Sequence, residues 1–114
     1  MTFTGAGQGR NKYGAIRTRI DGHTFDSKAE ANYYAALKLR ERAGEIGAIR
    51  VHPRYPLAVN GKLIATYVAD FEYQVIGDGL RVDDVKGVAT PVFKIKRKLF
   101  EALYSVPLNV VRAR

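Results

Sequence analysis

Glu30, Asp70 and the run Asp84-Val85-Lys86 are the residues of this chain whose types and spacing could do chemistry together. Two or three carboxylates converging on one spot repel one another unless a cation intervenes. Oxygen donors in a chain without cysteine suit Mg²⁺ or Mn²⁺. On a strand, Lys86 shares a face with Asp84, where an ammonium can organise an attacking water. The chemistry open to such a set is metal-assisted hydrolysis of a phosphodiester. Other residues offer less. His23 and His52 each stand alone without ligand spacing and read as polar loop or strand residues. Ser27 has no nearby base, and the Gly5-Ala6-Gly7-Gln8-Gly9 stretch follows no strand and precedes no Gly-Lys-Ser/Thr.

The elements that must position the set follow from local pattern. Asp21-Gly22 signals a hairpin turn between Tyr13–Ile20 and His23-Thr24-Phe25. Ser27 is a good N-cap, Glu30 falls three residues later, and strong helix formers continue to Arg42 before Gly44. Two roles compete for Glu30. It is a capping-box partner for Ser27, and it also neighbours the apolar stripe of Tyr33, Tyr34 and Leu37 that should face the sheet. Ile46–Val51 is short and apolar, and the following His52-Pro53 and Tyr55-Pro56 favour extended chain. Asn60-Gly61 joins Leu57–Val59 to a long β-patterned run, Leu63–Val75. Gly77-Asp78-Gly79 turns into a strand over Leu80–Lys86. Thr90-Pro91 starts a second helix reaching about Tyr104, and Leu108–Val111 reads as a last strand. The order expected is ββ-α-βββ-α-β, an α+β domain with a mixed sheet flanked by helices.

Strand parity then selects among the acids. Ile64, Thr66, Val68 and Asp70 share one face of the long run, with Glu72 beyond. Leu80, Val82, Asp84 and Lys86 share one face of the next strand, while Arg81, Asp83 and Val85 point the other way. Asp70 and Asp84 are thus expected to end core-facing apolar rows, a costly place for a carboxylate without a partner or a metal.

At 114 residues, 46% of them apolar, the chain is expected to be one domain over residues 13–114, preceded by a flexible basic arm over residues 1–12. The net charge of +8 points to nucleic acid, because each phosphate neutralised by Lys or Arg releases counterions. Arg10, Lys12, Arg17 and Arg19 lie in the first 20 residues without an acid. Lys94, Lys96, Arg97, Lys98, Arg112 and Arg114 crowd the other end against Glu101 alone. No signal peptide or membrane span is visible, and the absence of cysteine suits a cytosol.

The ordered set Glu30, Asp70, Asp84, Lys86 resembles the PD-(D/E)xK nuclease superfamily. The core of that superfamily is a helix bearing Glu, a β-meander bearing Asp and Asp/Glu-x-Lys, and a packed second helix. More closely, Asn11-Lys12-Tyr13-Gly14, then Asp21-Gly22-His23-Thr24-Phe25-Asp26-Ser27-Lys28-Ala29-Glu30-Ala31, then Val85-Lys86-Gly87 with Thr90, Phe93, Lys94 and Lys96, resemble a family of small phage and prophage endonucleases. That family is similar to the endonuclease I type of phage Holliday-junction resolvase. Ala69 stands where Pro often precedes the first Asp, and Asp84 is the shorter of the permitted carboxylates.

The resemblance implies a restriction-endonuclease-like core and a metal-dependent DNA endonuclease of phage recombination or processing. Branched DNA is the expected substrate, although the resemblance does not fix it, since resolvases, structure-selective nucleases and nicking enzymes share this core. It implies Mg²⁺ or Mn²⁺ held by Asp70, Asp84, the Val85 carbonyl and Glu30, with Lys86 acting on the water. It further implies a homodimer working in the bacterial cytoplasm. Of the nucleic-acid-binding candidates, Lys94, Arg97 and Lys98 are expected to follow the DNA backbone, with Arg17 and Arg19 as secondary contacts, while Lys96, four after Val92 and three before Leu99, is expected to lean toward the site. Two other readings of the sequence are a catalytically inactive nucleic-acid-binding protein on the same fold, and a partner-binding factor whose acids form ordinary salt bridges.

Overall fold

In the computed structural model, which describes residues 17–113, an antiparallel hairpin of Thr18–Ile20 (β1) and His23–Phe25 (β2) comes first. Asp21 and Gly22 take φ of 53° and 80°, the backbone that matches a two-residue turn to strand twist. The arm expected over residues 1–12, and the 13–16 part of the first β-patterned stretch, lie outside the described residues. Ser27 caps helix α1 (Lys28–Arg42), its Oγ accepting the Glu30 N–H at 3.1 Å. Ala31, Tyr34 and Leu37 are its buried stripe.

Five strands follow: Ile46–Val51 (β3), Arg54–Val59 (β4), Lys62–Val68 (β5), Phe71–Val75 (β6) and Gly79–Lys86 (β7). Helix α2 (Pro91–Tyr104) is capped by Thr90, whose Oγ1 accepts the Phe93 N–H at 3.1 Å, and ends at Ser105 in left-handed backbone. Leu108–Arg112 (β8) closes the fold.

The strand count between the helices corrects the sequence reading, since the order is ββ-α-βββββ-α-β. Ile46–Val51 is a full strand, and the Leu63–Val75 run divides at Ala69-Asp70. The division follows from pairing. β5 pairs only with β4, whereas β6 lies between β3 and β7, so the chain changes partners between Val68 and Phe71. His52 is a second correction. It is not extended before Pro53 but takes φ 53°, turning the chain from β3 into β4.

The central sheet has the order β3-β6-β7-β8, antiparallel except for the β7–β8 pair, which α2 connects as a crossover. The fold is α+β, with a mixed sheet and two helices. Phe71, Tyr73 and Val85 pack on one face with Phe25 of β2 and Tyr34 and Leu37 of α1. Val82 packs on the other with Tyr55 and Tyr67 of the β4–β5 hairpin and Phe93 and Phe100 of α2. Among the described residues no helix is long and apolar enough to cross a membrane.

Candidate metal centre

The β6–β7 ladder ends at the pair Phe71 and Asp83, so Asp84, Val85 and Lys86 run on past the start of β6. Asp70 occupies the bend beside that overhang. Its N–H donates to the Asp83 carbonyl at 3.2 Å, and its Oδ2 accepts the Val85 N–H at 2.6 Å. Backbone and side chain are both fastened to β7.

Asp70 does not reach this place by ending a core-facing row. Ile64 and Val68 are 56% and 41% exposed, while Tyr67 and Ala69 face inward. Branched apolar residues suit an open sheet face as well as a core, so composition concealed the parity. The bend at the change of strand partners is what turns Asp70 inward.

On β7 the alternation holds. Val82 and Asp84 face the β4–β5 hairpin and α2, and Asp83 faces α1. Both carboxylates are buried. Asp83 accepts from Tyr33 at 2.5 Å, Tyr73 at 2.7 Å and Asn109 at 3.1 Å, so its oxygens are occupied by α1, β6 and β8. Asp84 accepts from the Tyr67 hydroxyl through Oδ2, and Lys86 Nζ lies 3.4 Å from Oδ1. Burial and then the Asp84 hydrogen bond push the Tyr67 phenol well above its ordinary range, so Tyr67 remains a proton donor. The Lys86 ammonium also sits 4.4 Å from the centroid of the Phe93 ring.

Glu30 comes to the same region from α1. Its N–H belongs to the Ser27 cap, while its Oε1 lies 3.5 Å from His52 Nε2. Burial first, then the charges of Asp84 and Glu30, push the Asp70 carboxyl up to about 8 against the lowering effect of the Val85 N–H. Burial also raises Glu30, against the lowering effect of His52. Carboxylates from the first turn of α1, the β5–β6 bend and β7 therefore share one electrostatic field. This is the charge pattern a divalent cation relieves, and the hard oxygen donors fit Mg²⁺ or Mn²⁺.

His52 is the residue that sequence spacing missed. Among the described residues, donor atoms of Glu30, His52 and Asp70 lie within 4.8 Å of one another. Glu30 and His52 are 22 positions apart and meet only because the β3–β4 turn packs beside α1. Pro53 marked a turn there, but nothing local gave its neighbour. Tyr67 was missed for a related reason, since its inward face went unrecognised. Val85, expected to offer its carbonyl, enters the described contacts through its N–H.

The basic residues divide. Lys96 Nζ donates to the Thr66 carbonyl at 3.2 Å and lines, with Lys86, Tyr67 and Phe93, a cleft of about 260 Å³. Arg97 donates to the Leu108 carbonyl at 3.3 Å and lies 3.6 Å from Glu101, tying α2 to the start of β8. Lys94 and Lys98 are exposed, as are Arg17, which lies 3.7 Å from Asp26, and Arg19.

Residues 10–113 match the family described as "Protein of unknown function (DUF1064)", and the chain belongs to that family. No curated protein and no solved structure matches the chain.

Proposed function

We propose that this protein is a divalent-cation-dependent endonuclease that hydrolyses DNA phosphodiesters on a restriction-endonuclease-like core of the PD-(D/E)xK type. Its preferred substrate is branched DNA such as a four-way junction. It acts as a homodimer, since a junction offers two equivalent strands to cut, and its place of action is the bacterial cytoplasm. The observation that carries the reading is the shared field of Glu30, Asp70 and Asp84 with Lys86 3.4 Å from Asp84, in a chain of net charge +8.

Asp70 and Asp84, with the Val85 carbonyl and Glu30 directly or through water, would hold Mg²⁺ or Mn²⁺. Bound there, the cation supplies Lewis acidity, activating water and neutralising charge on the phosphoryl oxygens. The protein's own groups do the positioning. Tyr67 holds one oxygen of Asp84 and the Val85 N–H holds one oxygen of Asp70; the other Asp70 oxygen, and the Asp84 oxygen that now faces the Lys86 ammonium, would be the ones to meet the cation. The Lys86 ammonium orients the attacking water and offsets charge developing in the transition state. Lys96, on the same cleft, and the exposed Lys94 and Lys98 take the flanking phosphates, with Arg17 and Arg19 as secondary contacts. Attack at phosphorus with departure of the 3′ oxygen leaves 5′-phosphate and 3′-hydroxyl ends.

The test is incubation of purified protein with a four-way junction and with linear duplex, in Mg²⁺, Mn²⁺ or EDTA. Cleavage is expected with either metal, faster on the junction, and lost in EDTA. Asp84→Asn and Lys86→Ala should each reduce it by at least a hundredfold while junction binding persists. Cleavage that survives both substitutions sinks the site. Binding without cleavage by the unaltered protein identifies a DNA-binding protein instead.

A further inference from the structure

We propose that His52 is itself a ligand of the cation. Glu30, His52 and Asp70 would form a mixed nitrogen and oxygen position that takes Mn²⁺ and other imidazole-accepting first-row ions in preference to Mg²⁺. The inference rests on the nuclease reading of the same carboxylates and adds a residue and a metal class to it.

Three observations carry it. The first is convergence. One donor atom from each of the three side chains lies within 4.8 Å of the others. Ligands about 2.1 Å from one ion are separated by roughly 3 Å when adjacent and 4.2 Å when opposite, so small side-chain rotations close the set. Asp84 stands outside this group, with Tyr67 and Lys86 on its oxygens, so Asp70 and Glu30 are the carboxylates common to both sets.

The second is preorganisation. The His52 N–H donates to the Asp70 carbonyl at 2.9 Å, and the Ala69 N–H donates to the Pro53 carbonyl at 3.1 Å. The two turns that carry His52 and Asp70 are therefore stitched to each other through their backbones. His52 holds φ 53°, a left-handed conformation that is unfavourable in a residue other than glycine. Its ring lies 5.8 Å from that of Phe25 and its Nε2 is 3.5 Å from Glu30 Oε1.

The third is donor chemistry. Oxygen donors alone suit Mg²⁺, which binds imidazole poorly, whereas Mn²⁺ and the later first-row ions accept it. A histidine here shifts selectivity without removing an oxygen ligand. The competing account is that His52 only hydrogen-bonds Glu30 and pins the β3–β4 turn to α1, and it predicts cation binding indifferent to the imidazole.

The experiment uses the full chain after EDTA treatment and gel filtration. Mn²⁺ and Mg²⁺ are titrated separately by calorimetry, and the Mn²⁺-loaded protein is examined by pulsed electron paramagnetic resonance for ¹⁴N coupling. His52→Asn keeps a residue tolerant of left-handed backbone, and His52→Gln supplies a longer amide. The unaltered protein should show directly coordinated nitrogen. His52→Asn should lose that signal and bind Mn²⁺ at least tenfold more weakly, with Mg²⁺ affinity changed less than threefold.

Mn²⁺ bound without nitrogen coupling, or bound equally tightly by both variants, overturns the assignment of His52. Junction cleavage under those same conditions leaves the nuclease reading intact. Absence of divalent binding and of cleavage in the unaltered protein overturns both. Should the variants misfold, the nitrogen signal of the unaltered protein decides alone.

Discussion

Asp70 is where burial, like charge and a backbone donor act on one side chain, and the balance is readable in solution. Its carboxyl is pushed up to about 8 from an ordinary 3.8, and Glu30 is shifted in the same direction. Between those two values the folded, metal-free protein holds a proton that the unfolded chain releases. The stabilising contribution is therefore complete below about pH 4 and is lost as pH rises through about 8. In EDTA, the midpoint of thermal unfolding should fall across that range by more than it does in Asp70→Asn, whose side chain does not titrate. Saturating Mn²⁺ should flatten the fall, because the cation binds the ionised form. A midpoint that rises with pH in EDTA would contradict this arrangement of carboxylates. Tyr67 makes a second case. Tyr67→Phe keeps the ring but removes the donor from the buried Asp84 carboxylate. Cation affinity and cleavage should drop about 10- to 100-fold, the usual effect of losing a group that orients a ligand. Stability should fall by about 1–3 kcal/mol, measurable by urea unfolding.

At the scale of elements, what the sequence made legible was local and what it hid was long-range. Ser27, Asn60-Gly61 and Thr90-Pro91 each bound their own element within four residues, and all three elements form where these residues mark them. Alternation on β7 likewise separated Asp84 from Asp83, because the two faces of one strand need no partner to be distinguished. The break at Ala69-Asp70 was invisible, since it arises from strands exchanging neighbours and not from a turn residue. His52 was invisible for the same reason. Asp83 shows how an acid outside the proposed site can still be buried. It accepts from Tyr33, Tyr73 and Asn109 and so locks α1, β6 and β8 around β7. Asp83→Ala should cost about 2–3 kcal/mol in urea unfolding, because the buried Tyr73 hydroxyl, the half-buried Tyr33 hydroxyl and the Asn109 amide lose a charged acceptor. Ser27→Ala, which removes a single cap at the helix end, should cost about 1 kcal/mol. A reversed ranking would mean that Asp83 is not the tie between these elements.

Over the whole molecule, the proposed function together with a net charge of +8 predicts DNA association that weakens steeply with salt, but charge alone does not say which cations would meet the phosphates. On α2 the sequence presents Lys94, Lys96, Arg97 and Lys98 as one basic run, and the fold divides that run. Arg97 is committed to the Leu108 carbonyl and to Glu101, whereas Lys94 and Lys98 are exposed. Each phosphate neutralised contributes about −0.9 to the slope of log K against log salt on duplex DNA. Lys94→Ala and Lys98→Ala should each make that slope shallower by about 1 and weaken junction and linear duplex alike, since phosphate contacts carry no shape or base information. Arg97→Ala should leave the slope unchanged within about 0.3 of a contact and instead lower thermal stability, because it releases the tie between α2 and β8. Measuring all three by fluorescence anisotropy in an Asp84→Asn background keeps the DNA intact and holds the site's charge constant across the series. A slope that shifts equally for Arg97 and the two lysines would mean that the guanidinium leaves Leu108 to meet a phosphate, and the basic run would then act as the single surface its sequence presents.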